Sequence, residues 1–68
     1  MTKQEVFVMV CETVCKWNRV QCRVAYGQFQ AFIGGEWESI RSYGELGELL
    51  GTDIDTDYMI DVVFGGNL

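Results

Sequence analysis

No histidine and no proline occur in this 68-residue chain, and long apolar runs are missing as well. The lack of histidine removes the commonest general base and metal ligand. The longest apolar run near the N-terminus is Val6–Cys11, ended by Glu12. Such a run neither spans a bilayer nor makes the apolar stretch of a secretion signal, so no membrane partner is expected. Cysteine is scarce: Cys11, Cys15 and Cys22 leave one thiol over in any disulfide scheme. Three free thiols in a reducing cytoplasm are the expectation. Positive charge is scarce too, with 5 Lys+Arg against 10 Asp+Glu and a net charge of −5. An acidic chain repels nucleic acid, so direct nucleic-acid binding is not expected.

What is present is ordinary globular composition. Hydrophobic residues make up 49%, which excludes compositional disorder. The length allows one domain, residues 1–68, with a thin core that buries roughly 60% of the unfolded surface. An elaborate active-site cavity does not fit in it. The charge is unevenly placed. Residues 1–33 carry Lys3, Lys16, Arg19 and Arg23 against Glu5 and Glu12, a net +2. Residues 34–68 carry Arg41 against Glu36, Glu38, Glu45, Glu48, Asp53, Asp55, Asp57 and Asp61, a net −7.

Local signals order the chain as α-β-β-β-α-β. Thr2-Lys3-Gln4-Glu5 fits a capping box, and the apolar residues that follow recur at helical period, predicting a helix over 3–17 with Trp17 on its apolar face. From Val20 the period becomes two. A two-residue turn at Tyr26-Gly27 sets Val24 opposite Phe29, Cys22 opposite Ala31 and Val20 opposite Ile33 on one side. Gly34-Gly35 signals a second hairpin leading to a strand over 36–41. A two-residue loop there pairs Phe32 with Trp37 on the outer face; a three-residue loop moves Trp37 into the core. Ser42-Tyr43-Gly44-Glu45 is a second capping box, opening a short helix that Gly51 ends. Residues 52–57 read as an acidic loop. Tyr58, Ile60, Val62 and Phe64 alternate with Met59, Asp61 and Val63 and predict a fourth strand, followed by a tail at Gly65-Gly66-Asn67-Leu68. The expected architecture is α+β: one small domain, an antiparallel sheet with two helices packed on one face.

The candidate chemistry is thin. Cys11, Cys15 and Cys22 are one ligand short of a structural zinc site, match no cluster spacing and fall on apolar faces, so they read as core. A cysteine nucleophile lacks the base or cation that would form its thiolate. Asp53-x-Asp55-x-Asp57 resembles the start of a calcium loop, but Tyr58 stands where glycine belongs and Phe64 where the bidentate glutamate belongs. Glu36 and Glu38 share one strand face without a pocket or partner group. The glycine pairs open no helix and so are not phosphate loops. No catalytic residue, metal or cofactor is expected.

Two readings remain. In the first the chain is a non-enzymatic protein-binding module. Its carboxylates Glu36, Glu38, Glu45, Glu48, Asp53, Asp55, Asp57 and Asp61, with Trp37 and Phe32, meet a basic protein partner. Carboxylates spread over such a face fill a groove that otherwise holds a nucleic-acid backbone, so the partner class includes nucleic-acid-binding proteins. In size and charge the chain resembles the small acidic inhibitors of phages and mobile elements, anti-CRISPR proteins included; the likeness is one of composition. In the second it is a self-associating structural or accessory protein, a homo-oligomer joined through Trp37, Phe32 and Tyr58.

Overall fold

The computed structural model describes residues 1–65. Helix α1 spans Lys3–Trp17, strands β1, β2 and β3 span Cys22–Ala25, Gln28–Ile33 and Glu36–Ile40, and helices α2 and α3 span Tyr43–Leu50 and Thr56–Phe64. The strands form one antiparallel sheet in the order β1-β2-β3. The class is α+β with helices packed on the sheet, and no helix among the described residues is long and apolar enough to cross a membrane.

Local chemistry starts each helix. The Thr2 hydroxyl accepts from the Glu5 amide, and the Glu5 carboxylate accepts from the Thr2 amide, closing the expected box at α1. At α2 the Ser42 hydroxyl accepts from the Glu45 amide at 3.1 Å. The Glu45 carboxylate reaches one residue further back than the box predicts, to the Arg41 amide. Gly51 ends α2 in the left-handed conformation.

The last element differs from its expectation: residues 58–64 are helical, so the order is α-β-β-β-α-α. The Asp55 carboxylate caps the start by accepting from the Tyr58 amide, and its carbonyl accepts from the Met59 amide, the first turn of a helix. With 3.6 residues per turn, Met59, Ile60, Val63 and Phe64 turn inward, whereas Tyr58, Asp61 and Val62 are exposed. Alternation with a period of two cannot produce that division. Helix α3 packs against α1, so the sheet keeps three strands. Of the expected tail, Gly65 is the left-handed cap of α3, and residues 66–68 lie outside the described residues.

One core joins these elements. Val10, Cys11, Val14 and Cys15 of α1 meet Phe29 and Ala31 of β2, Ile40 of β3, Leu46 of α2 and Met59 of α3. Phe7 extends it, edge-on to Phe29 at 6.4 Å and 5.0 Å from Tyr43. Trp17 departs from its expected place: at the last position of α1 it lies beyond the packed stripe and is 56% exposed.

Candidate functional site

The Gly34-Gly35 turn decides what the sheet presents. Both glycines have positive φ, 65° and 83°, the conformation a two-residue hairpin loop requires. The register therefore sets Phe32 opposite Trp37 and Phe29 opposite Ile40. Alternation then sorts every strand residue onto one of two faces. Cys22, Phe29, Ala31, Ile33 and Ile40 face the helices. Arg23, Ala25, Gln28, Gln30, Phe32, Trp37 and Ser39 share the other face, which no helix covers.

On that open face the side chains are already organised. The Phe32 and Trp37 rings meet edge to face, 5.2 Å apart. Arg23 reaches from β1 across β2 and lays its guanidinium 4.1 Å from the Trp37 ring centroid. Its Nε donates to the Gln30 Oε1 at 2.7 Å. Gln30 is buried although it lies on the face without a helix. The Ser39 hydroxyl donates to the Gln28 Oε1, also at 2.7 Å. A surface cation–π contact of this kind contributes about 0.5–1 kcal/mol, and the hydrogen bonds hold it in one geometry. Phe32 remains 41% exposed and Trp37 half-buried.

The carboxylates lie elsewhere. Glu36 and Glu38 alternate with Ile40 and so point to the helix side of β3. Glu45 and Asp55 have local work as helix caps. Glu48 and Asp53 are brought together on the wall of a shallow groove of about 580 Å³, with Tyr43, Gly44, Gly51 and Ile54. Asp53 and Asp55 border a second depression, beside Trp17 and Tyr58. Asp57 and Asp61 stand one helical turn apart on exposed positions of α3. The structure thus divides the residues singled out by sequence. Phe32 and Trp37 occupy the open face, where no strand position carries a carboxylate; the carboxylates occupy β3's other face, α2, the connecting loop and α3.

Arg23 and Gln30 were not among the expected site residues. The signal existed: with a two-residue loop at Gly34-Gly35, the register of both hairpins puts Arg23, Gln30 and Trp37 on one face.

Cys11 and Cys15 are core groups, and Cys22 packs half-buried against the core. Burial pushes Cys11 up from 9.0 to about 12, and the neighbouring thiols Cys15 and Cys22 add to it. Burial likewise pushes Cys15 to about 12, with Cys22 second. Cys22 is raised by burial first and by Glu12 second. None is held as a thiolate, the form that nucleophilic attack and metal binding require. The apparent calcium-loop start is split by the helix it precedes, with Asp55 capping α3 and Asp57 inside it. Among the described residues no three Cys, Asp or Glu side chains are placed to hold a metal. The arrangement offers contact surface: a stacked aromatic–guanidinium face and, away from it, a set of solvated carboxylates.

No protein-family model, curated protein or solved structure matches the chain.

Proposed function

We propose that the chain is a non-enzymatic protein-binding module whose acidic side occupies a basic surface of a partner, of the kind that holds a nucleic-acid backbone. The observation that carries this reading is the grouping of Glu48, Asp53 and Asp55 along the α2–α3 connection, continued by Asp57 and Asp61 on α3. Like charges this close repel one another and lower the stability of a small domain. An opposing basic surface relieves that repulsion and gains desolvated charge pairs. By occupying such a surface the module would exclude nucleic acid sterically and electrostatically, as a small acidic inhibitor does.

The test is affinity capture from the source cell, followed by purified-component binding over a salt series. Affinity is expected to fall at least tenfold between about 50 and 300 mM salt, where screening grows. Charge reversal of Glu48, Asp53, Asp57 and Asp61 should abolish binding. Asp55 and Glu45 are left intact because they cap helices. Salt-independent binding, or full binding by the reversed variant, would rule the reading out.

A further inference from the structure

We infer that the depression between the end of α1 and the start of α3, walled by Trp17, Tyr58, Asp53 and Asp55, receives the guanidinium of an arginine on the partner protein. That the cation belongs to a protein rests on the acidic-side reading above; the chemistry of the site rests on the depression itself. Val14 and Met59, both buried, and the half-buried Ile54 give it an apolar floor. Trp17 and Tyr58 line it while staying 56% and 58% exposed. Asp53 and Asp55 add two exposed carboxylates. No lysine or arginine lines it among the described residues, although Lys16 and Arg19 are close in sequence.

The two tryptophans differ in what they already hold. Trp37 has a cation from its own chain, the Arg23 guanidinium 4.1 Å from the ring centroid. Trp17 has none among the described residues. Indole is the strongest aromatic acceptor for a cation, and a guanidinium stacks on it as a planar, weakly hydrated group. The surrounding field favours the same ligand. The Asp55 Oδ1 accepts from the Tyr58 amide, which leaves the second oxygen for an outside donor. The 15-residue α1 ends at the depression, which Val14, Trp17 and Asn18 line, and a helix C-terminus attracts positive charge. The positive end of α3 is offset by Asp55 at its cap and Asp57 in its first turn.

Size and charge choose the occupant. The depression holds about 240 Å³, below the roughly 300–1,000 Å³ of sites that enclose a whole small molecule. It suits one side chain. An acidic side chain or a phosphate meets two carboxylates of its own sign. An apolar side chain covers the floor but takes water from Asp53 and Asp55 without replacing it. A lysine ammonium is more strongly hydrated and has no planar face to stack. An arginine meets all three kinds of wall at once: its stem the apolar floor, its planar group the rings, its N–H groups the carboxylates.

The test is an NMR titration of the isotope-labelled whole chain with N-acetylarginine amide, run against N-acetyllysine amide and against sodium chloride at equal ionic strength. The Trp17 indole N–H and the backbone amides of residues 53–59 should shift saturably, with a Kd in the millimolar range, while the Trp37 indole stays in place. The lysine probe should bind at least threefold more weakly. Trp17→Ala and, separately, Tyr58→Ala should weaken the arginine probe at least fivefold. Tyr58→Phe, which keeps the ring, and Glu48→Gln, outside the depression, should bind as the parent does. Far-UV circular dichroism identifies a variant that fails to fold, in which case the other decides. Shifts no larger than those with sodium chloride overturn the proposal, as do equal binding of the lysine probe and binding that both alanine variants leave unchanged. In the captured complex Trp17→Ala should weaken the partner at least fivefold, and unchanged affinity overturns the assignment to a partner arginine. The probe needs no partner protein, so the two readings fail separately. A silent depression strikes this inference and leaves the salt series as it is, whereas salt-independent partner binding beside a depression that takes the probe strikes the acidic-side reading.

Discussion

A Cβ on residue 47 would lie 2.6 Å from the backbone carbonyl oxygen of Thr52. The approach is close because the Thr52 amide donates to the Gly47 carbonyl at 2.9 Å, folding the chain back over the end of α2. Glycine in a helix normally costs stability, and Gly→Ala normally recovers about 1 kcal/mol. At Gly47 the sign reverses, because the obstructing atom is backbone. Gly47→Ala should destabilise by about 2 kcal/mol or more, in the range of overpacked positions. Gly44, three residues earlier, meets only the Ser42 hydroxyl at 4.0 Å. Gly44→Ala should raise stability by about 0.5–1 kcal/mol. Urea denaturation of the two variants checks the pair.

Asp53 and Asp55 look equivalent in sequence but are not in structure. Asp55 accepts from the Tyr58 amide at the start of α3, and Asp53 is an exposed loop residue. Asp55→Ala should cost about 1 kcal/mol as a lost cap. Asp53→Ala should stay within about 0.5 kcal/mol of the parent, as surface changes do. Thermal denaturation of both separates capping from general acidity.

Tyr26 has a φ of 57° and is 91% exposed. It holds the first position of the β1–β2 turn in the left-handed region without a packing reward. Tyr26→Asn keeps the turn and relieves that conformation, since asparagine tolerates it far better. Stability should rise by up to about 1 kcal/mol, measurable as a higher urea midpoint at unchanged slope.

The buried thiols make stability depend on alkaline pH. In the unfolded chain Cys11 and Cys15 ionise near 9.0, whereas burial keeps them protonated to about 12 in the folded state. A folded-state pKa raised in this way leaves its stabilisation intact below 9.0. The stabilisation is lost as pH climbs toward 12, because the unfolded state alone releases the proton. Unfolding free energy should fall in that window by up to about 1.4 kcal/mol per pH unit for each thiol. The double variant Cys11→Ala/Cys15→Ala should flatten the slope in urea titrations across pH 8–11. In native protein at pH 8 a thiol reagent should label Cys22, which is half-buried, ahead of the two core thiols.

How far the sequence shows this structure depends on how local each signal is. The box at Thr2–Glu5, the Ser42 cap on the Glu45 amide, the αL stop at Gly51 and the first hairpin register all come from residues within a few positions of one another. Those elements stand where the pattern put them. The second hairpin was undetermined between two loop lengths, and only the paired positive φ at Gly34 and Gly35 chooses. Helix α3 reads as a strand in the sequence because Tyr58, Ile60, Val62 and Phe64 alternate and most of its residues favour strands. The competing signal, Asp55 as a cap, is masked by the acidic residues around it. Packing against α1 then decides, and no window of sequence contains that contact. The candidate site was legible as a list of residues but not as an arrangement. Whether Trp37 faces the helices or the open side of the sheet depends on the same turn.

Residues 42–65 hold six carboxylates, Glu45, Glu48, Asp53, Asp55, Asp57 and Asp61, and no lysine or arginine, so α2, α3 and their connection form a strongly negative part of the surface. In the field of a strongly charged body such a molecule is turned as well as pulled. It would approach a cationic surface with α2 and α3 leading, before any short-range contact is made. Orientation during approach raises the fraction of encounters that succeed, and salt removes that gain from the association rate first.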